Sequence, residues 1–535
     1  MKKDNESPFS NPRFLLVLAV TFLSLWGWQY YLNKKYPPGA PIASNAPPAV
    51  PAPGTVSGTT SPVASPPGAP KSAEILKGEA NPISIQKFDY ADENVKFSIS
   101  SLGFSFVDFQ LNDYKNHEGQ QIQFAQNDSL YTLHHGGKPI SFQITASADK
   151  SVYTGIASIE GKEITRVLKY DKDLKFFVST LLIPEGLDQL EFVIVQNQVV
   201  PKSTSFLMPS FDHQDFVYVN AGKTHSERIT GIKDTEIFNK STEAVSMVSV
   251  GSQYFVAAFV NKSDILPNVT KKVIAHKAIL SIDYNLKNTK ISELKQIFYM
   301  GAKKTETLQN IDPTLPEVLN YGIFGFISKV LLLLMKFIHS FVGNWGVSII
   351  LLTIIVRTVL LPFNIMSFRS AQAMQKIKPK MDDIKARYKS DPVRMNKETM
   401  ALMKDNNANP LSGCLPMLLQ IPIFFAFFGT ISTSVELYHQ PFFGWIHDLS
   451  SYDPLFILPI LMGVTMFFQQ KLTPTTMDPL QAKILNFMPL IFTLFMVTLP
   501  SGLTLYNFIS ALFGVTQQYF LLKETKSQSA AVARA

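Results

Sequence analysis

Five apolar runs crowd the C-terminal part of this chain, at residues 345–366, 411–433, 454–470, 482–499 and 503–522, each near the length that crosses a bilayer. Backbone amides inside hydrocarbon must bond to one another, so such runs fold as helices. A sixth run, residues 14–32, follows Lys2, Lys3 and Arg13 and ends in Trp26, Trp28, Tyr30 and Tyr31, the aromatic belt of a membrane anchor. A cleaved signal peptide is the rival reading of this run. The small residues Ala43 to Ala46 lie too far beyond it, behind Lys34 and Lys35.

The rest of the chain reads as soluble. Residues 36–71 are Pro, Ala, Gly, Ser and Thr, which cannot bury a core and act as a tether. From about residue 72 to 310 short alternating runs such as Val95-Lys96-Phe97-Ser98-Ile99 recur between Asn, Gly, Asp and Pro, the pattern of an antiparallel β-sandwich. With a single cysteine, Cys414, this domain has no internal disulfide and must rest on its own core. The net charge of +8 comes without zinc-ligand spacing, RNP-like strand or P-loop, so neither specific nucleic-acid readout nor a cofactor is expected.

Charge sets the topology. Residues 369–404 carry ten Lys and Arg residues, among them Lys376, Lys378, Lys380, Lys385, Arg387 and Lys389, and belong in the cytoplasm. Within residues 316–343 the run 321–341 is apolar enough to span, but a span there would put that basic loop outside. They are therefore expected as an amphipathic helix on the outer surface, with Lys329, Lys336 and His339 near one face. The expected plan is an anchor at 1–35, the tether at 36–71, an exported β domain at 72–310, the interfacial helix at 316–343, a five-helix core at 344–522 and a tail at 523–535. A helical hairpin at 367–408, broken at Ser390-Asp391-Pro392, faces the cytosol. That makes six spans with both termini cytoplasmic.

Arg357 stands near the middle of 345–366, where a cation costs about 2.5–3.5 kcal/mol on insertion scales. The apolar core of no other run holds a carboxylate to pair with it. Either the arginine bonds backbone carbonyls or it faces a water-filled cavity. Polar residues at helical spacing favour the cavity: Thr353, Arg357 and Asn364; Thr465 and Gln469; Asn507, Ser510 and Gln517. Singly, such residues tie neighbouring helices together. Pro416, Pro422, Pro459 and Pro489 would bend the helices around such a space. Met417, Phe424, Phe425, Phe427 and Phe428, with Met488, Phe492, Phe495 and Met496, give two flexible aromatic faces suited to varied apolar partners, or to lipid. His339, His439 and His447 read as structural and Cys414 as packing.

SIILLTIIVRTVLLP (348–362), NPLSGCLPMLLQIP (409–422), PFFGWIHD (441–448), LPILMGVTMFF (458–468) and PSGLTLY (500–506) resemble the membrane core of the YidC family of insertases. The large β domain after one anchor is similar to the Gram-negative form of that family, whose periplasmic domain is a β-supersandwich. The resemblance implies an inner-membrane insertase and chaperone, not an enzyme, built on a hydrophilic groove. That groove would draw on Arg357, Thr353, Gln420, Thr465, Gln469, Tyr506, Asn507, Ser510 and Gln517. Asn507 replaces an aromatic residue common in the family. Substrates would slide along Met417, Phe424, Phe425, Phe428, Met488, Phe492 and Phe495. The implied partners are nascent membrane proteins, the Sec translocon, ribosomes with the signal recognition pathway, and membrane lipids, with the basic hairpin as docking site. An anion channel or transporter would also use an intramembrane arginine, but no inverted repeat is visible. A hydrolase would need motifs the chain lacks.

Overall fold

The alternating strands of the soluble region place every second side chain on one face, and in Gln189–Asn197 the residues Leu190, Phe192 and Ile194 are all buried. This computed structural model describes residues 85–534 except 117, 125–127, 200–203, 206–207, 210–211, 233–237, 288–290, 407, 409–414 and 474–478. Side chains are not described at 204–205, 208–209, 415–417, 479–485 and 525–534. The anchor, the tether, Cys414 and the Met417 side chain lie outside the described residues.

Two large antiparallel sheets form the β domain. The nine-stranded sheet runs Lys223–Arg228, Gln214–Asn220, Val245–Ser252, Phe255–Asn261, Glu293–Ala302, Phe176–Leu182, Lys162–Asp171, Val152–Ile159 and Gln143–Ala146. The six-stranded sheet centres on Lys277–Asn285 and Gln189–Asn197, and a five-stranded sheet ends at the short strand Gln121–Gln123. Phe259 and Phe298 point into the sandwich, where they meet Phe192 at 5.6 and 5.8 Å between ring centres.

Phe255–Asn261 is buried at every position, because its two faces serve two cores. Ala257 and Phe259 belong to the sandwich, while Val256, Ala258 and Val260 join a second core shared with the helices. That second core begins with α1 (Thr305–Ile311) and the 3-10 turn Leu315–Val318.

A cation sits inside the sandwich. Arg166 is fully buried, with its guanidinium carbon 5.1–5.4 Å from the ring centres of Phe104, Phe192 and Phe298, and Nη1 donates to the Phe104 carbonyl at 2.9 Å. Burial pulls its pKa down to about 9. Rings and carbonyls hold this charge, with no ion pair to a described carboxylate.

Eight helices are described in the C-terminal part. α2 (Gly325–Val342) ends at Gly343, whose φ of 66° is a left-handed stop, and Asn344 then caps α3 (Trp345–Arg387) by accepting from the Val347 amide. This short connection stacks His339 on Trp345 with ring centres 4.0 Å apart. α3 continues unbroken from the apolar run into the basic segment, through Pro362 and Pro379, and α4 (Pro392–Asp405) folds back from it. Asp391 caps α4 at the Arg394 amide. α5 (Leu415–Thr433), α6 (Ile457–Leu472), α7 (Pro479–Met496) and α8 (Ser501–Arg534) follow. Among the described residues two helices, α2 and α3, are long and apolar enough to cross a membrane, and three shorter apolar stretches lie at Leu418–Thr433, Ile457–Leu472 and Asn486–Met496.

The helix α2 has two faces of different origin. Leu331, Leu332, Met335 and Ile338 are buried against the protein, whereas Phe326, Leu333, Phe337 and Phe341 form an exposed apolar stripe. Lys336 is turned inward and bridges Glu436 at 2.6 Å and Glu306 at 3.1 Å. Lys329 stays exposed.

Candidate functional site

The polar residues of the apolar helices meet where α3, α5 and α8 converge. Tyr506 and Ser510 stand one turn apart on α8 and so share a face. Arg357 on α3 donates through Nε to the Ser510 hydroxyl at 2.6 Å. Gln420 on α5 donates to the Tyr506 hydroxyl at 2.8 Å. Tyr506 is buried, with its ring stacked on Phe427 at 4.2 Å. No described carboxylate pairs with Arg357, and the Ser510 hydroxyl is the side-chain partner recorded for its charge.

The other polar residues of the apolar runs lie on α3, α6 and α8. Thr353, a turn before Arg357, is fully buried and returns its hydroxyl to the Ile349 carbonyl at 2.6 Å. Asn507 bonds the Leu503 carbonyl at 2.9 Å and lies 3.8 Å from the Met496 sulfur. Thr465 is half-buried and bonds back to Leu461 at 2.7 Å. Gln469 packs on Gly514, where a Cβ would stand 2.4 Å from its amide nitrogen. Glycine is what lets α6 and α8 approach there. Gln517 is half-buried on α8, and the structure records no contact from it to Arg357.

The two aromatic faces touch each other. Phe424 on α5 and Phe492 on α7 have ring centres 6.2 Å apart, and Phe425 and Phe428 flank the α5 face. Phe425, Met488 and Phe495 are exposed. Phe427 and Met496 are not part of these faces, being fully buried. In the basic hairpin, Lys376, Lys380, Lys385, Arg387 and Lys389 are exposed and Lys378 is half-buried. Met374, Ile377 and Ala408 close its small core, and Arg369 reaches Glu524 on α8 at 3.6 Å.

The 434–456 loop ties helix ends together. Ser501 donates to the Asp448 carbonyl at 2.8 Å, and the amides of Ser501 and Gly502 donate to Ser451 and Leu449. Asp453 accepts from the Trp445 indole at 3.0 Å and from the Leu458 amide at 2.7 Å. The same loop sends Tyr438 into the β domain, where its hydroxyl donates to the Lys115 carbonyl at 2.8 Å and its ring meets Tyr254 at 4.8 Å. Burial pushes the Tyr438 hydroxyl well above the usual phenol range, with Asp448 and Asp212 adding to the shift.

Sequence reasoning named the residues of the cluster but not which of them pair, and it did not pick out Tyr438 or Arg166. A tyrosine in a loop without Lys or Arg gave no signal of its own.

The family model described as 60Kd inner membrane protein matches residues 337–528, and the model described as YidC periplasmic domain matches residues 188–334. Among curated relatives, the membrane protein insertase YidC of Campylobacter jejuni is 37% identical over 438 residues, 78% of this chain and 79% of that protein. The one from Wolinella succinogenes is 41% identical over 59% of this chain and 57% of its own length. The one from Francisella philomiragia is 34% identical over 70% of each chain.

Proposed function

Because this chain belongs to the YidC family of membrane protein insertases, we propose that it moves apolar segments of other proteins into the bilayer by binding and electrostatics, with no covalent chemistry and no cofactor. It is a multi-pass inner-membrane protein with a periplasmic domain rich in β-sheet, and its function is membrane protein insertion. The observation that carries the mechanism is Arg357, a cation among apolar helices that is held by the Ser510 hydroxyl and paired with no described carboxylate. A fixed positive charge there attracts acidic or polar groups of an incoming chain and shortens the apolar path those groups must cross.

In this reading Gln420, Tyr506 and Ser510 line a hydrophilic groove with Arg357, and Thr353, Thr465, Gln469, Asn507 and Gln517 border it. Phe424, Phe425 and Phe428, with Met417, Met488, Phe492 and Phe495, form the slide on which an apolar segment exchanges groove for lipid. Six spans, counting the anchor at 14–32, put both termini in the cytoplasm. α2 lies on the outer surface with its apolar stripe in lipid, consistent with the inward pairing of Lys336. The hairpin at 367–408 receives ribosomes, the signal recognition pathway and the Sec translocon, its exposed lysines supplying the charge.

The test is insertion of a short, Sec-independent membrane protein into vesicles holding only this purified chain. Protease-protected product that depends on the chain supports the reading. Empty vesicles doing equally well, or chloride flux without insertion, would replace it with a channel.

A further inference from the structure

Gly463 lies within α6 in ordinary helical backbone, where a glycine weakens the helix relative to alanine. Its neighbour on α7 supplies the reason for it. A Cβ at position 463 would run into the Thr493 hydroxyl and stand 3.2 Å from the Thr493 Cβ. Thr493 is held in that rotamer, its hydroxyl donating to the Pro489 carbonyl of its own helix at 2.7 Å. Small residues let membrane helices approach at the backbone, and the absence of a side chain at 463 is what lets α6 and α7 cross this closely.

α6 is itself fixed at both ends. The Asp453 carboxylate accepts from the Leu458 amide at its start, while at its other end Gln469 packs on Gly514 of α8 and the Thr473 hydroxyl accepts from Gln518 of α8 at 3.1 Å. α8 is joined in turn to α3 through Ser510 and Arg357. α7 leaves Phe487, Leu490, Ile491 and Leu494 exposed, and it meets this frame at Met496, beside Asn507, and at Thr493.

Thr493 directly follows Phe492, whose ring meets Phe424 of α5 at 6.2 Å. Consecutive residues of a helix point about 100° apart, so α7 touches α6 and α5 on adjoining faces. Any displacement of α7 away from α6 therefore carries Phe492 sideways across Phe424.

We propose that Gly463 is a positioning residue: by seating Thr493 it fixes where α7 stands beside α5, and so sets the spacing of the two aromatic faces. It acts through Thr493 and Phe492 and needs no contact with a passing segment. The spacing follows from packing alone; that it serves insertion rests on the reading of Phe424 and Phe492 as a slide.

The test is crosslinking within full-length protein in nanodiscs. The one native cysteine is removed by Cys414→Ser, Phe424→Cys and Phe492→Cys supply a pair, and a short bismaleimide joins them, with product scored per folded molecule. Gly463→Ala forces α7 off its seat and should lose most of the crosslinked product. Thr493→Leu crowds the same contact from the other helix and should do the same, so the result does not hang on one variant folding. Thr493→Ala alone should crosslink as the parent does, and Gly463→Ala with Thr493→Ala, which removes the obstructing hydroxyl, should recover most of the product. A merely structural contribution would lower the melting temperature and leave crosslinking per folded molecule unchanged. Undiminished crosslinking in both crowding variants, or no recovery in the double variant, would overturn the proposal. The position-463 and position-493 variants with their aromatic residues intact are assayed separately for insertion, which should fall and recover in step with crosslinking. Lost crosslinking with normal insertion would leave the positioning role standing and sink the slide reading instead.

Discussion

Arg357 and Ser510 join α3 to α8 through a single charged hydrogen bond of 2.6 Å, in a region where the arginine has no ion-pair partner among the described residues. Hydrogen bonds to charged groups contribute about 1.5–3 kcal/mol. Ser510→Ala should therefore lower the thermal stability of the purified protein and reduce insertion without abolishing it, while Ser510→Thr, which keeps a hydroxyl, restores both. Fluorescence-detected melting alongside the vesicle assay measures the pair.

Tyr438 couples the helices to the β domain. Tyr438→Phe removes the bond to the Lys115 carbonyl at a cost of about 1 kcal/mol, and Tyr438→Ala also empties the contact with Tyr254 and Phe255. Hydrogen exchange by mass spectrometry should show faster exchange at 434–440 and 252–257 in both, larger in the alanine variant, with the strand Gln189–Asn197 unchanged.

Lys303 gives a pH signature. It is buried near Asp215 at the end of the strand Glu293–Ala302, and burial lowers its pKa from 10.5 to about 8. The folded chain thus loses this proton before the unfolded chain does, so stability should rise as pH climbs from about 8 to 10.5 and this contribution should be flat below 8. The rise is at most about 3 kcal/mol. Comparing exchange protection of that strand in wild type and Lys303→Met at each pH checks it; the variant should be the more protected at pH 7 and lack the rise.

The aromatic faces predict a contact map. A photoreactive phenylalanine analogue at Phe424, Phe425, Phe492 or Phe495 should crosslink to a nascent apolar segment. The same probe at Phe427, which lies beneath Tyr506, should give little product at matched expression.

Periodicity made the β-sandwich and the helical stretches legible in the sequence, because burial on one face dictates alternation in strands and a repeat of about 3.6 in helices. Arg357 was legible for a similar reason, since a cation within an apolar run is conspicuous. Ser510, Gln420 and Tyr506 could be named as polar residues on apolar helices, but their pairing depends on which helices touch, and that is decided by packing between segments far apart in the chain. Lys336 shows the same limit: its position on α2 reads as one side of an amphipathic face, whereas Glu436 and Glu306, distant in sequence, turn it inward. Arg166 stayed hidden because a strand alternating polar and apolar residues looks identical whether its arginine faces water or three aromatic rings.

The central claim is that a fixed positive charge at position 357 drives insertion. Cells depleted of the endogenous protein and complemented at equal levels with wild type, Arg357→Lys, Arg357→Ala or Arg357→Glu would be scored for insertion of a short acidic membrane protein. The account predicts insertion with lysine and its loss with alanine and glutamate; normal insertion with alanine and glutamate would contradict it.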